Sequence, residues 1–75
     1  ELYLKPAEDY VAPGRPVNFY TVVEAAARRG EVAVGYRLRA QAADATQSYG
    51  VHLNPIKSEM ITFAEGDRII VLAEG

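Results

Sequence analysis

Seventy-five residues make one domain, and a chain this short buries only about 60% of the surface its unfolded form exposes. Nearly half of it is apolar, a globular composition; the absence of cysteine excludes disulfides and thiolate metal sites. The net charge of −2 gives no support to sequence-independent nucleic-acid binding, and no apolar run approaches the roughly 20 residues that span a bilayer.

The chain opens on Glu1, and Leu2 to Lys5 already reads as a strand, stopped by Pro6. This start suggests a fragment excised from a larger protein. Tyr10 and Val11 either continue that strand or begin another. Pro13-Gly14-Arg15-Pro16 breaks the chain. A helix is predicted over 18–29, with Phe19, Val22, Val23, Ala26 and Ala27 as its apolar stripe. Asn18 suits the N-cap, and Thr21 with Glu24 offers an alternative capping box. Arg28 and Arg29 suit the negative end of the helix dipole, and Gly30 the left-handed stop.

Glu31 to Arg39 alternates with period two. The pattern places Val32, Val34, Tyr36 and Leu38 inward and Ala33, Gly35, Arg37 and Arg39 outward, with Gly35 marking a bulge or a close backbone approach. Residues 40–48 are small and polar and read as a mobile loop. Tyr49 to Leu53 is the expected partner strand, with His52 on its outer side. Ile61 to Phe63 reads as a short strand, Ala64-Glu65-Gly66-Asp67 as a hairpin turn, and Arg68 to Ala73 as a last strand covered on both faces. The expected fold class is α+β, a mainly antiparallel sheet with one principal amphipathic helix.

Catalytic groups are sparse. His52 is the single histidine, Ser48 and Ser58 lack a nucleophile context, and Glu65 with Asp67 is a meagre carboxylate pair against the six to eight oxygens that calcium recruits. No glycine-rich phosphate loop is present, so neither an enzyme nor a cofactor is expected. Arg28, Arg29, Arg37 and Arg39 form the candidate ligand-binding set: gathered together they would suit an anion such as a nucleotide phosphate. The competing expectation is an ordinary solvated surface.

The order of parts carries a resemblance. A glycine-containing turn, a helix, the strand Glu31 to Arg37, the Asn54-Pro55 step and then Glu65-Gly66-Asp67-Arg68 leading into Ile69 to Leu72 resemble the C-terminal subdomain of the regulators of potassium conductance, as in Trk-type uptake systems. The wording from Val17 to Arg37, with Tyr49-Gly50-Val51 and Asn54 to Ser58, is similar to bacterial relatives of the Castor and Pollux ion channels. The resemblance implies a Trk-type C-terminal-domain-like fold for residues 1–75. It implies a non-enzymatic gating or ligand-sensing subdomain of a cation channel or transporter, at the cytoplasmic face of a membrane protein. A preceding nucleotide-binding-like domain and a membrane pore would lie elsewhere in the full-length protein. The alternatives are a sensor or accessory domain attached to a transcription regulator or soluble enzyme. The stretch 40–48 is longer than the minimal subdomain has. More apolar strand positions than one helix can cover, with Tyr3, Tyr10 and Tyr49, lead to the expectation of a homodimer.

Overall fold

A computed structural model describes residues 1–74. Along them run β1 (Leu2–Pro6), β2 (Pro16–Asn18), α1 (Phe19–Ala27), β3 (Val32–Arg37), β4 (Val51–Leu53), β5 (Met60–Thr62) and β6 (Arg68–Leu72). Single 3₁₀ turns occupy Ala7–Asp9 and Arg39–Gln41, and an irregular pair of turns covers Ala45–Gly50. The chain has an α+β fold. Its four-stranded antiparallel sheet has the order β1-β6-β3-β4, and β2 pairs with β5 in a separate two-stranded ribbon.

The helix forms where its end signals agree. The Asn18 side chain accepts from the Thr21 N–H at 3.0 Å and from the Thr21 hydroxyl at 3.1 Å, so Asn18 is the cap and the Thr21–Glu24 box is unused. At the other end the N–H groups of Arg29 and Glu31 both close on the Ala26 carbonyl, while Gly30 turns to φ 72°. Phe19, Val22 and Ala26 are buried; Ala27 points to solvent. They pack on Ala33, Tyr36, Ile69 and Val71 of the large sheet and on Phe63. Tyr36 sits at the centre, edge-on to Phe63 with ring centroids 5.5 Å apart and tilted against Phe19 at 6.0 Å.

Strand β3 departs from the simple alternation. Ala33 lies opposite Val71 and Gly35 opposite Ile70, so Val34 is an extra residue and the phase flips across it. Val32 is therefore on the outer side and Ala33 in the core, the reverse of the period-two reading, while Tyr36 is inward as expected. Both expectations for Gly35 hold: the bulge ends on it, and a Cβ there would run into the backbone carbonyl of His52 and come within 3.1 Å of the Leu53 Cα.

Other boundaries shift for physical reasons. Pro6 belongs to β1 because β1 is an edge strand, where a missing N–H leaves no ladder bond unmade. The segment from Arg39 to Gly50 folds into turns. Asp44 accepts from the Thr46 N–H and hydroxyl, and Ser48 and Tyr49 adopt left-handed φ of 53° and 54°, which delays β4 to Val51. Val51 and Leu53 face outward, and His52 stands opposite Tyr36 on the helix side, stacked on its ring at 4.8 Å and bonded to Gln41 at 3.0 Å. β5 pairs with β2 rather than β6. The 64–67 turn therefore links two sheets and is no hairpin, although Gly66 has the positive φ (91°) expected of it. β6 buries Ile69, Ile70 and Val71, but the cover expected on both faces is incomplete: Leu72 is 43% exposed on the side away from the helix.

Candidate functional site

Partners that point to the same side can be read directly from the register, because residues opposite one another across an antiparallel pair share a face. Helix α1 covers the face bearing Ala33, Tyr36, Ile69 and Val71. The opposite face consists of three rows. Leu2, Leu72 and Val32 form the first; Leu4, Ile70, Gly35 and Leu53 the second; Pro6, Arg68, Arg37 and Val51 the third. Nothing among the described residues roofs this face. Leu2, Leu4, Val32, Leu53 and Leu72 are between 43% and 64% exposed, and Ile70 and Gly35, in the middle row, are buried. Contiguous apolar area of this kind marks a docking surface in soluble proteins, because leaving it in water forgoes about 25 cal/mol per Å².

The third row is charged. Arg37 and Arg68 lie directly opposite one another, a like-charge pairing that destabilises a bare sheet. Each guanidinium leans away from the other onto a backbone carbonyl. Arg37 Nε donates to Tyr49 at 3.3 Å, and Arg68 donates to Leu4 at 3.4 Å. No carboxylate pairs with either among the described residues.

The four arginines of the candidate ligand set fall into two separate groups. Arg28 pairs with Glu24 one helical turn back, at 2.5 Å. Arg29 lies over the Tyr10 ring at 4.9 Å, reaches Glu31 at 3.6 Å and donates to the Asp9 carbonyl at 3.3 Å. Arg37 ends β3, roughly 16 Å along the strand from Val32 at its start, and Arg39 lies just past it. The guanidinium groups do not converge on one point. Arg39 lays its side chain over Gly66, where a Cβ would come within 2.5 Å of its Cδ. Arg68, the true neighbour of Arg37, escaped the sequence reading. Only the β3–β6 register, set by the bulge, reveals it.

Two buried acids are structural. Glu31 receives Lys5, the Tyr10 hydroxyl at 2.6 Å and, more distantly, Arg29. Hydrogen bonds from Lys5 and then Tyr10 hold its carboxyl below the ordinary range against the opposing effect of burial. Burial, reinforced by the bond to Glu31, pushes the Tyr10 hydroxyl up to about 12. Asp67 accepts from the Ala64 N–H and the Arg39 N–H, both at 2.8 Å, and so ties the 64–67 turn to the exit of β3. That bond pair accounts for the Gly-Asp step before the last strand.

Among the described residues there is no pocket and no group of three or more His, Cys, Asp and Glu side chains placed to hold a metal. No described helix is long and apolar enough to cross a membrane. No known family model and no curated protein matches the chain.

Proposed function

We propose that this chain is a non-enzymatic regulatory subdomain of a cation channel or transporter, coupled to the rest of its assembly through the open face of the four-stranded sheet. The observation that carries this reading is the exposed apolar face itself, with Leu2, Leu4, Val32, Leu53 and Leu72 around a buried Ile70. A surface that gains by being covered can exist in two states, docked and undocked, and a small bias between them is enough to move a gate. The channel assignment draws on the resemblance to potassium-conductance regulators, which would place the subdomain at the cytoplasmic face, after a nucleotide-binding-like domain.

The test is cation flux through the full-length protein in proteoliposomes. Leu4→Asp and Leu72→Asp place charges on the outer face without entering the core. Flux that persists but no longer responds to regulation is the expected result. Regulation identical to the parent in both variants would contradict the reading.

A further inference from the structure

We propose that residues 47–50 are a two-state strap. In one state they form a left-handed turn whose Tyr49 carbonyl holds the Arg37 guanidinium; in the other they extend β4 and lay the Tyr49 ring over Arg37 and Arg39.

Ser48, Tyr49 and Gly50 follow one another at φ of 53°, 54° and 81°. Only the last is a glycine. For a residue with a Cβ the left-handed region is disfavoured by roughly five- to thirty-fold, and tyrosine favours strand besides. Surface hydrogen bonds offset this. The N–H groups of Gln47 and Tyr49 both donate to the Asp44 carbonyl, at 3.1 and 2.9 Å, and the Asp44 carboxylate accepts from Thr46. The Val51 N–H donates to the Ser48 carbonyl, and Arg37 Nε to the Tyr49 carbonyl at 3.3 Å. Residues 44–49 are all exposed, so water competes for these bonds.

Strand β3 already offers a template for the second state. Tyr36 faces His52 and Arg37 faces Val51, and the Leu38 N–H donates to the Gly50 carbonyl at 2.9 Å, so the ladder runs one step past the end of β4. The next pair in that register is Arg39 with Tyr49. It is of the non-hydrogen-bonded kind, in which side chains stand closest, and Arg39 can keep its N–H on Asp67. Period two puts an extended Tyr49 on the side of Val51 and Arg37, the open face. The ring is 55% exposed in the turn and makes no aromatic or cation–π contact among the described residues. Extended, it meets two guanidinium groups that no described carboxylate neutralises. The strap thus exchanges a carbonyl contact to Arg37 for a ring contact, and the open face gains or loses an aromatic rim.

Nuclear magnetic resonance on the 75-residue chain tests this, with substitutions at the exposed Ser48 that act through the backbone and leave the Tyr49 ring in place. Relaxation dispersion at the amides of 47–51 should reveal a minor state of about 1–10%. Ser48→Val, whose branched side chain disfavours the left-handed region, should raise the ratio of strand to turn at least tenfold. It should also bring an Hα–Hα contact between Arg39 and Tyr49. Ser48→Gly, which suits the turn, should lower the same ratio. Unchanged amide shifts at Tyr36 and His52 show that each variant keeps the fold. Flat dispersion across 47–51 in the parent overturns the proposal, as does a Ser48→Val chain that keeps left-handed carbon shifts at Tyr49. A Ser48→Val chain that unfolds overturns it too, since the turn would then be a fixed part of the fold. Ring-current shifts of the Arg37 and Arg39 side-chain protons should accompany the extended state and vanish when Tyr49→Leu is added; extension without them overturns the ring contact. The two states stand on backbone geometry in the isolated chain, so this test fails or succeeds apart from the flux test of the regulatory reading.

Discussion

Replacing Asp67 by alanine removes one buried carboxylate that accepts from two backbone donors at once, Ala64 N–H and Arg39 N–H, each at 2.8 Å. Leaving a buried donor without its partner costs about 1–3 kcal/mol, more where the lost acceptor was charged. Ala64 and Arg39 are themselves exposed residues, so water can reach part of what the carboxylate gave up and the lower half of that range applies to each. The predicted loss is about 2–4 kcal/mol in all. A domain this small unfolds in urea with a slope of about 1 kcal/mol/M, so the midpoint should fall by roughly 2–4 M. Circular dichroism against urea reads this directly, provided the transition is two-state. Asp67→Asn keeps one acceptor but turns an NH₂ group toward the other donor, and should lose nearly as much as alanine. A midpoint displaced by less than about 0.5 M in Asp67→Ala would refute the view that this carboxylate joins the 64–67 turn to β3.

The same reasoning extends elsewhere in the fold. Val22 is fully buried in the helix–sheet core, so Val22→Asp introduces an unpaired charge that costs several kcal/mol, comparable to the whole stability of the domain. Its far-ultraviolet spectrum should be that of an unfolded chain. Gly35→Ala forces a Cβ against the backbone of β4 and should destabilise by about 1–3 kcal/mol, with hydrogen exchange of the Val51–Leu53 amides accelerating most. Glu31 has a depressed carboxyl pKa in the fold, so it contributes stability above the ordinary glutamate value near pH 4.3 and loses it as pH falls through the folded value. Glu31→Gln should flatten that acid limb of the stability curve. Tyr10, at about 12, should ionise earlier in the Glu31→Gln variant, which removes the bond and charge that help hold it neutral. Because its unfolded pKa is lower, the stability that Tyr10 contributes is present below pH ~10 and is lost as pH rises toward the folded value.

Local signals in the sequence were enough for the helix. Cap, stripe and stop at Asn18, Phe19–Val22–Ala26 and Gly30 lie within a dozen residues and depend on no distant partner. The last strand was legible as a central one from the unbroken run Ile69 to Leu72, but its expected double cover is incomplete, since Leu72 lies exposed on the open face. What escaped was set by pairing between segments far apart. The extra residue at Val34 reverses the phase of β3 only because β6 takes Ala33 and Gly35 as successive partners. β5 goes to β2 rather than to its neighbour β6, so an apparent hairpin becomes a crossover. The candidate site was half legible. An unroofed apolar surface followed from counting strand positions against one helix. The residues that form it are Leu2, Leu4, Val32, Leu53 and Leu72, whereas Phe63 is buried in the core and Tyr3 and Tyr10 pack at its margin. Arg28 and Arg29 drew attention at the end of the helix, and both have acidic partners, Glu24 one helical turn back for Arg28 and Glu31 past the helix end for Arg29.

The most direct test of the central claim is hydroxyl-radical footprinting of the outer-face leucines, comparing the dilute isolated chain with the full-length assembly. Leu2, Leu4, Leu53 and Leu72 should label readily in the isolated chain and be protected together in the assembly, while exposed Tyr20 and Met60, away from this face, label equally in both. Equal labelling of the four leucines in both states would contradict the claim that this face is where the domain engages its partner.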